Sequence, residues 1–221
     1  YSLLLLPLIG LAFLGCGDNA SGEDQQTFTP IIEGRKVYIS GFYQDSTLDQ
    51  MVACYWLDGI RVDLEYGAAE DITVQNGDVY VAGQWFDATG WNGEACYWIN
   101  GIRYDLQVGD NPDVEVTGIA VDNGDVYVSG VRSDGSMFGT NACYWKNGNV
   151  NNVPRNSSFG NSWGATAFGI FLDGNDVYLA GYNAIANKFD IGCKWKNGNL
   201  HELSGSTANE QQTWLYDIAV A

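Results

Sequence analysis

Apolar residues along this chain come in short runs that alternate with polar ones, one residue in and one residue out. Asp78-Val79-Tyr80-Val81-Ala82-Gly83 and Ala95-Cys96-Tyr97-Trp98 both read as strands of this kind. Turn signals punctuate the runs. Ile72-Thr73-Val74 leads through Gln75-Asn76-Gly77 into the strand that opens at Asp78, and Ala95 to Trp98 leads through Asn100-Gly101 into Ile102-Arg103-Tyr104-Asp105-Leu106. Each is a predicted hairpin closed by a tight turn of the I′ kind. Such turns need positive φ at both central positions, which asparagine and glycine tolerate cheaply.

The pattern is written four times. An aspartate or lysine followed by Val-Tyr-hydrophobic-small-Gly, and a Cys-x-Trp followed by Asn-Gly or Asp-Gly, recur in every copy. The strand tyrosines Tyr38, Tyr80, Tyr127 and Tyr178 are 42, 47 and 51 residues apart. From each of them to the cysteine of the second landmark (Cys54, Cys96, Cys143, Cys193) the distance is 16, 16, 16 and 15 residues. Length therefore varies mostly between copies. Four strands at this period predict an all-β chain, a β-propeller built of four-stranded antiparallel blades. A β-sandwich also supplies short strands, but gives no reason for self-similarity. The predicted blades are 28-66, 67-112, 113-163 and 164-208, with the start of a fifth at 213-221.

The ends of the array are irregular. The innermost strand reads Ile72-Thr73-Val74, Ile119-Ala120-Val121 and Ile170-Phe171-Leu172 in three copies, whereas the first has Pro30-Ile31-Ile32, where proline removes a ladder donor. Asp217-Ile218-Ala219-Val220 restarts the pattern at the far end. Two expectations follow: a fragment of a larger ring, or a four-bladed ring whose last strand supplements the weak first unit. The absence of an initiator Met favours the fragment.

Ahead of the repeats, Leu3 to Gly15 form an unbroken apolar run of 13 residues, short of the about 20 that span a bilayer. It fits the h-region of a secretory signal peptide. Phe13-Leu14-Gly15-Cys16 resembles the lipobox of bacterial lipoproteins, which implies lipidation of Cys16 and residues 1-16 as the leader. Residues 17-27, polar and acidic, would form a flexible tether. An ordinary cleaved signal and an uncleaved anchor are the alternatives. The expected place is the cell envelope, lipid-anchored at the outer membrane or cell surface, and otherwise periplasmic or secreted.

Composition changes the picture in two ways. A formal charge of −17, from 27 acidic and 10 basic residues, repels phosphates and argues against nucleic acid as a partner. Five cysteines in an exported chain invite disulfides, but four hold one equivalent site in successive repeats, too far apart for a bridge. Cys54, Cys96, Cys143 and Cys193 are therefore expected to be small buried hydrophobes, on the same strand face as Trp56, Trp98, Trp145 and Trp195.

Ala142-Cys143-Tyr144-Trp145-Lys146-Asn147-Gly148 and the run from Ala53-Cys54-Tyr55-Trp56 to Asp63-Leu64 resemble the HAF-type extracellular repeat, an aromatic-Leu-Trp followed by a glycine turn and Asp-Leu. They are still closer to β-propeller lipoproteins of Bacteroidetes with ACYWxNG repeats. The resemblance covers residues 31 to 203 and departs from the HAF pattern at Cys-Tyr. It implies export and a propeller-like fold, and it brings no reaction and no catalytic residue.

The segments between hairpins differ in every copy, while the hairpin turns are uniform, which is what a scaffold with one binding face shows. On that face the candidate ligand-binding residues are Tyr43, Trp85, Trp91, Phe138, Trp163, Asp87 and Asp134, with Phe159 and Phe189 beside them. Exposed aromatics next to Asp and Asn suit a sugar, by stacking and hydroxyl hydrogen bonds. The alternative is that each ring fills a gap between blades. Catalysis has thin support: one histidine, His201, falls on an outermost strand and leaves neither a multi-histidine metal site nor a Ser-His pair. The many carboxylates show no spacing that singles out a glycosidase pair. No metal site or cofactor is expected, calcium at Gly109-Asp110-Asn111-Pro112-Asp113 being the one weak candidate. The expected function is a binding module for glycan. The alternatives are a propeller glycoside hydrolase or lyase, and a structural subunit docking an envelope protein.

Overall fold

A computed structural model of the protein describes residues 34–47, 49–87, 93–109, 113–135, 139–155, 162–185, 190–203 and 213–220, without the side chains of 162, 163 and 185. The leader, Cys16, the tether and the Pro30-Ile31-Ile32 strand lie outside these residues. Everything regular in the described residues is strand. In chain order these are β1 (Tyr38–Asp45), β2 (Gln50–Leu57), β3 (Ile60–Gln75), β4 (Asp78–Phe86), β5 (Gly93–Ile99), β6 (Ile102–Asp105) and β7 (Val114–Asp122). There follow β8 (Asp125–Ser133), β9 (Thr140–Lys146), β10 (Asn149–Asn152), β11 (Ser162–Asp173), β12 (Asp176–Ile185), β13 (Ile191–Lys196) and β14 (Asn199–Glu202).

Pairing resolves these strands into four antiparallel meanders, one per repeat. The first is β1-β2 with residues 60–66 of β3, and the second is residues 67–75 of β3 with β4-β5-β6. The third is β7 to β10 and the fourth β11 to β14. A single parallel bridge, Gly164 to Thr140, links the last two. β3 is thus the outermost strand of one meander and the innermost of the next, and it turns at Gly67. There φ is 150°, and a Cβ would lie 2.9 Å from the Trp85 Cα. Only glycine satisfies both conditions.

Two features of the repeat acquire a cause. Each innermost strand among the described residues carries a bulge, between Ala69 and Asp71, between Val116 and Gly118, and between Ala167 and Gly169. The glycine that ends the first landmark (Gly83, Gly130, Gly181) sits under the bulge, where a Cβ would overlap the carbonyl oxygen of Ala68, Glu115 or Thr166. The turn residue of the second landmark is stitched to the first valine of the meander's second strand. Asn147 donates its backbone N–H to the Val126 carbonyl (2.8 Å) and accepts from the Val126 N–H at Oδ1 (2.8 Å), while its Nδ2 donates to Asp125 (2.8 Å). Asn100 and Asn197 repeat all three bonds, with Asp78 and Asp176 as acceptors. In the first repeat Lys36 replaces that aspartate and Asp58 replaces the asparagine, so the change of charge at one position is matched at the other.

The core lies between meanders. The third strand of each reads Ala-Cys-Tyr-Trp or a variant of it, and alternation sends its two pairs of residues to opposite faces. Ala53 packs with Cys96 and Trp98. Ala95 and Tyr97 pack with Cys143 and Trp145. Ala142 packs with Cys193 and Trp195. The three tryptophans are wholly buried, and each indole N–H reaches back to the preceding meander or to the chain just beyond it: Trp98 to Glu65 (3.2 Å), Trp145 to the Gln107 carbonyl (2.8 Å), Trp195 to the Pro154 carbonyl (2.7 Å). The four cysteines are free and buried. Burial pushes the Cys143 and Cys193 thiols up to about 12, as small apolar residues rather than nucleophiles would be.

The two ends of the stack differ from its middle. On the first meander Trp56 is half-buried and Ile39, on the same face, is 51% exposed. On the fourth, residues 213–220 run over the outer face: Thr213 N–H donates to the Asp190 carbonyl (3.0 Å), Trp214 Nε1 to the Asp190 carboxylate (2.8 Å), and Tyr216 rests on Phe168. A Cβ on Gly169 would come within 2.8 Å of the Asp217 Cα. This segment crosses the fourth meander without pairing as a strand.

Candidate functional site

The strands run further than the turn signals imply, because pairing between the second and third strand of each meander continues to the tips. β4 and β5 pair out to Phe86 and Gly93, and β1 and β2 out to Asp45 and Gln50. Tyr43 and Trp85, expected in connecting segments, therefore stand on strands. Both stand five residues after the strand tyrosine, so alternation puts them on equivalent faces, and the neighbouring meander covers only that of Trp85. Tyr43 shares its face with Gly41, whose side faces the Trp56 ring, so it points away from the second meander. Its ring lies under the Arg61 guanidinium at 3.7 Å, and its hydroxyl donates to Asp63 (3.3 Å).

Trp85 instead lines a cleft of about 460 Å³ between the first and second meanders, together with Tyr66, Phe86, Asp87, Glu65 and Arg103. A second hollow of about 170 Å³ shares Tyr66 and Phe86 and adds Gln44, Asp49 and Gln50. Both open where β1 passes to β2, where β4 passes to β5 and where β3 changes meander. Sequence reasoning assigned this end to the variable connections. The structure brings together Trp85 and Asp87 from the candidate set. Asp134 belongs to the corresponding tip of the third meander, where Arg155 Nη1 holds its carboxylate at 2.8 Å. Trp91 and Phe138, like Phe159, Phe189 and most of the acidic loop from Gly109 to Asp113, lie outside the described residues. Trp163 is in β11 and its side chain is not described.

Arg103 organises the cleft. Its guanidinium stacks over the Trp85 ring at 4.1 Å and binds Glu65 (3.0 Å) and Asp105 (2.9 Å). Glu65 in turn accepts the Trp98 indole N–H, which ties the cleft wall to the core. The Trp85 Nε1 is buried and finds no hydrogen-bond acceptor among the described residues. One face of this ring is thus occupied, and the rings of Tyr66 and Phe86 remain for a ligand. The lining offers aromatic surface, amides, one guanidinium already engaged twice, and the carboxylates of Glu65, Asp87 and Asp49. Tyr66, Glu65 and Arg103 were missed from sequence. The available signal was the Arg-x-Asp pair of Arg61-Val62-Asp63 and Arg103-Tyr104-Asp105, which the later repeats replace at Val150 and Leu200.

A third cavity, about 260 Å³, is lined by the innermost segments of the second, third and fourth meanders and by the terminal segment. Each contributes its bulge residue and the next: Glu70 and Asp71, Thr117 and Gly118, Phe168 and Gly169, and at the same register Tyr216 and Asp217. Asp71 bridges two meanders, accepting the Ile119 N–H (2.8 Å) as well as the Ile72 N–H (2.8 Å). Burial raises the Asp71 carboxyl above its ordinary value, those two N–H groups oppose the rise, and Asp217 adds to it. Burial, then Glu115, raises Glu70. Among the described residues no three His, Cys, Asp or Glu groups are arranged to hold a metal ion. His201 is exposed on β14, opposite Lys194.

Comparison with protein-family models and with curated proteins finds no match to this chain.

Proposed function

We propose that the protein is an exported β-propeller, lipid-anchored through Cys16, that binds an uncharged glycan in the cleft between its first and second meanders. The propeller reading is supported by three successive innermost segments and the terminal segment meeting on one cavity, as blades do around an axis, and by meanders that pack face to face in repeat order. The lipobox-like leader and the resemblance to extracellular repeats support export to the envelope. The observation that carries the ligand is the cleft itself, where Trp85, Tyr66 and Phe86 adjoin amides and carboxylates at the variable end. Concave aromatic surface with a few convergent polar groups is the usual form of such a site.

Charge selects the class of sugar. The lining carries the carboxylates of Glu65, Asp87 and Asp49 and one guanidinium, which Glu65 and Asp105 already bind, so a uronate or sulfate entering the cleft would meet an excess of like charge. The test is a glycan array probed with the chain from Gly17 onward, followed by calorimetry on Trp85→Ala. Binding of neutral oligosaccharides, weakened by Trp85→Ala by ~2 kcal/mol or roughly 30-fold, is the expected result. Preference for acidic glycans would keep the site and reject the charge argument. Silence of the folded protein across the array would reject the glycan reading and turn attention to an envelope protein partner.

A further inference from the structure

Five Asn-Gly pairs fall wholly within the described residues, at Asn76, Asn100, Asn123, Asn147 and Asn197. Asn-Gly is the sequence most open to spontaneous deamidation, because glycine places no side chain in the way of its own nitrogen. All five asparagines are exposed, and all five have φ between 50° and 54° with a positive-φ glycine after them. Sequence, exposure and backbone therefore predict equal reactivity. The side chains do not. In the turns between third and fourth strands, Asn100, Asn147 and Asn197 accept a valine N–H at Oδ1 (2.8 to 2.9 Å) and donate from Nδ2 to an aspartate (2.6 to 2.8 Å). In the turns between first and second strands, no hydrogen bond holds the Asn76 side chain among the described residues, and Asn123 has only Nδ2 on its neighbour Asp122 (3.0 Å).

We infer that Asn76 and Asn123 are sites of spontaneous deamidation in the folded protein and that the fold protects Asn100, Asn147 and Asn197. In the reaction the following glycine nitrogen loses its proton to solvent base and attacks the asparagine Cγ. The Cγ–Nδ2 bond breaks and ammonia leaves. Water then opens the cyclic imide to aspartate or isoaspartate. Attack requires Cγ to swing onto the following nitrogen. At the three stitched turns that swing breaks two hydrogen bonds at once, one of them to a carboxylate, and frees the second strand from the turn. At Asn76 it breaks none. Both reactive turns are at the opposite end of the sheets from the cleft, so the change adds negative charge there and leaves the cleft lining intact.

The experiment ages the folded protein at body temperature and mildly alkaline pH, and quantifies aspartate and isoaspartate at the five positions by peptide mapping. A parallel sample is aged in urea. In the folded protein Asn76 and Asn123 are expected to convert ~tenfold faster or more than the other three, a lower bound set by two lost hydrogen bonds. In urea the five rates should converge. Asp125→Ala removes the acceptor of the Asn147 Nδ2 and should accelerate Asn147 alone, with Asn100 and Asn197 unchanged as the internal sign that the fold persists. Equal rates at all five positions in the folded protein overturn the inference. So does a spread in rate that survives unchanged in urea, which would assign the difference to local sequence.

Discussion

Asn147 shows how much one turn residue does. Its backbone supplies the positive φ that the tight turn needs, its amide and Oδ1 take both hydrogen-bonding groups of Val126, and its Nδ2 meets Asp125. Lys146, one residue earlier, binds the same aspartate from the other side (2.8 Å) over the Tyr127 ring. The hydrogen bonds from Lys146 and Asn147 hold the Asp125 carboxyl below its ordinary value, and Lys196 with Asn197 does the same for Asp176. Asn147→Ala should therefore cost ~2 to 3 kcal/mol, from an unmet Val126 N–H and a residue disfavoured at positive φ. Asn147→Gly, which loses the bonds but keeps the backbone, should cost less. Chemical denaturation of the two variants checks the order. The sequence shows the Asn-Gly pair and the aspartate 22 residues before it, but not that the two touch, since the pairing of β8 with β9 brings them together.

At the scale of the element, the third strand is the member that joins one meander to the last. Its tryptophan fills the interface and its indole N–H closes on the preceding meander or the chain beyond it, so packing and polar satisfaction are won by one side chain. Trp145→Ala should lower stability by ~3 to 5 kcal/mol. Trp145→Phe, which keeps most of the ring and orphans the Gln107 carbonyl, should lower it by ~1 to 3 kcal/mol. Thermal unfolding of both separates the packing contribution from the hydrogen bond. Alternation along Ala-Cys-Tyr-Trp was legible in the sequence, as was the burial of its cysteines. The bulges were not, because a bulge depends on which residue of the partner strand is skipped. The shared strand β3 was also hidden, since its two halves look like separate runs and only the turn at Gly67 makes them one element.

At the scale of the molecule, opposite pKa shifts set opposite slopes in pH. Glu70 and Asp71 are raised in the folded state, so folding binds protons between their ordinary and raised values and stability falls as pH rises through that window. Asp125 and Asp176 are lowered, so their contribution is present above the ordinary carboxylate value and is lost as pH falls through the lowered one. Self-repulsion at a charge of −17 adds to the first slope. The urea midpoint should rise from neutral pH to a maximum near pH ~5 and fall below ~4, around the ordinary carboxylate values. Glu70→Gln should flatten the neutral limb and leave the acid limb in place.

The sequence by itself determined the local structure: four copies, the central part of the paired strands though not their tips, the turns closed by Asn-Gly, and the cysteines and tryptophans of the third strands on one face. These follow from alternation and turn chemistry, which act within a few residues. Only the tertiary structure decided which candidates share a site. Tyr43 and Trp85 hold related positions in neighbouring repeats, yet one faces away from the second meander and the other lines the cleft between the meanders, because burial depends on which neighbouring sheet covers each face. The same holds for Asp71 and Asp217, far apart along the chain and gathered at one cavity by the stacking of the meanders.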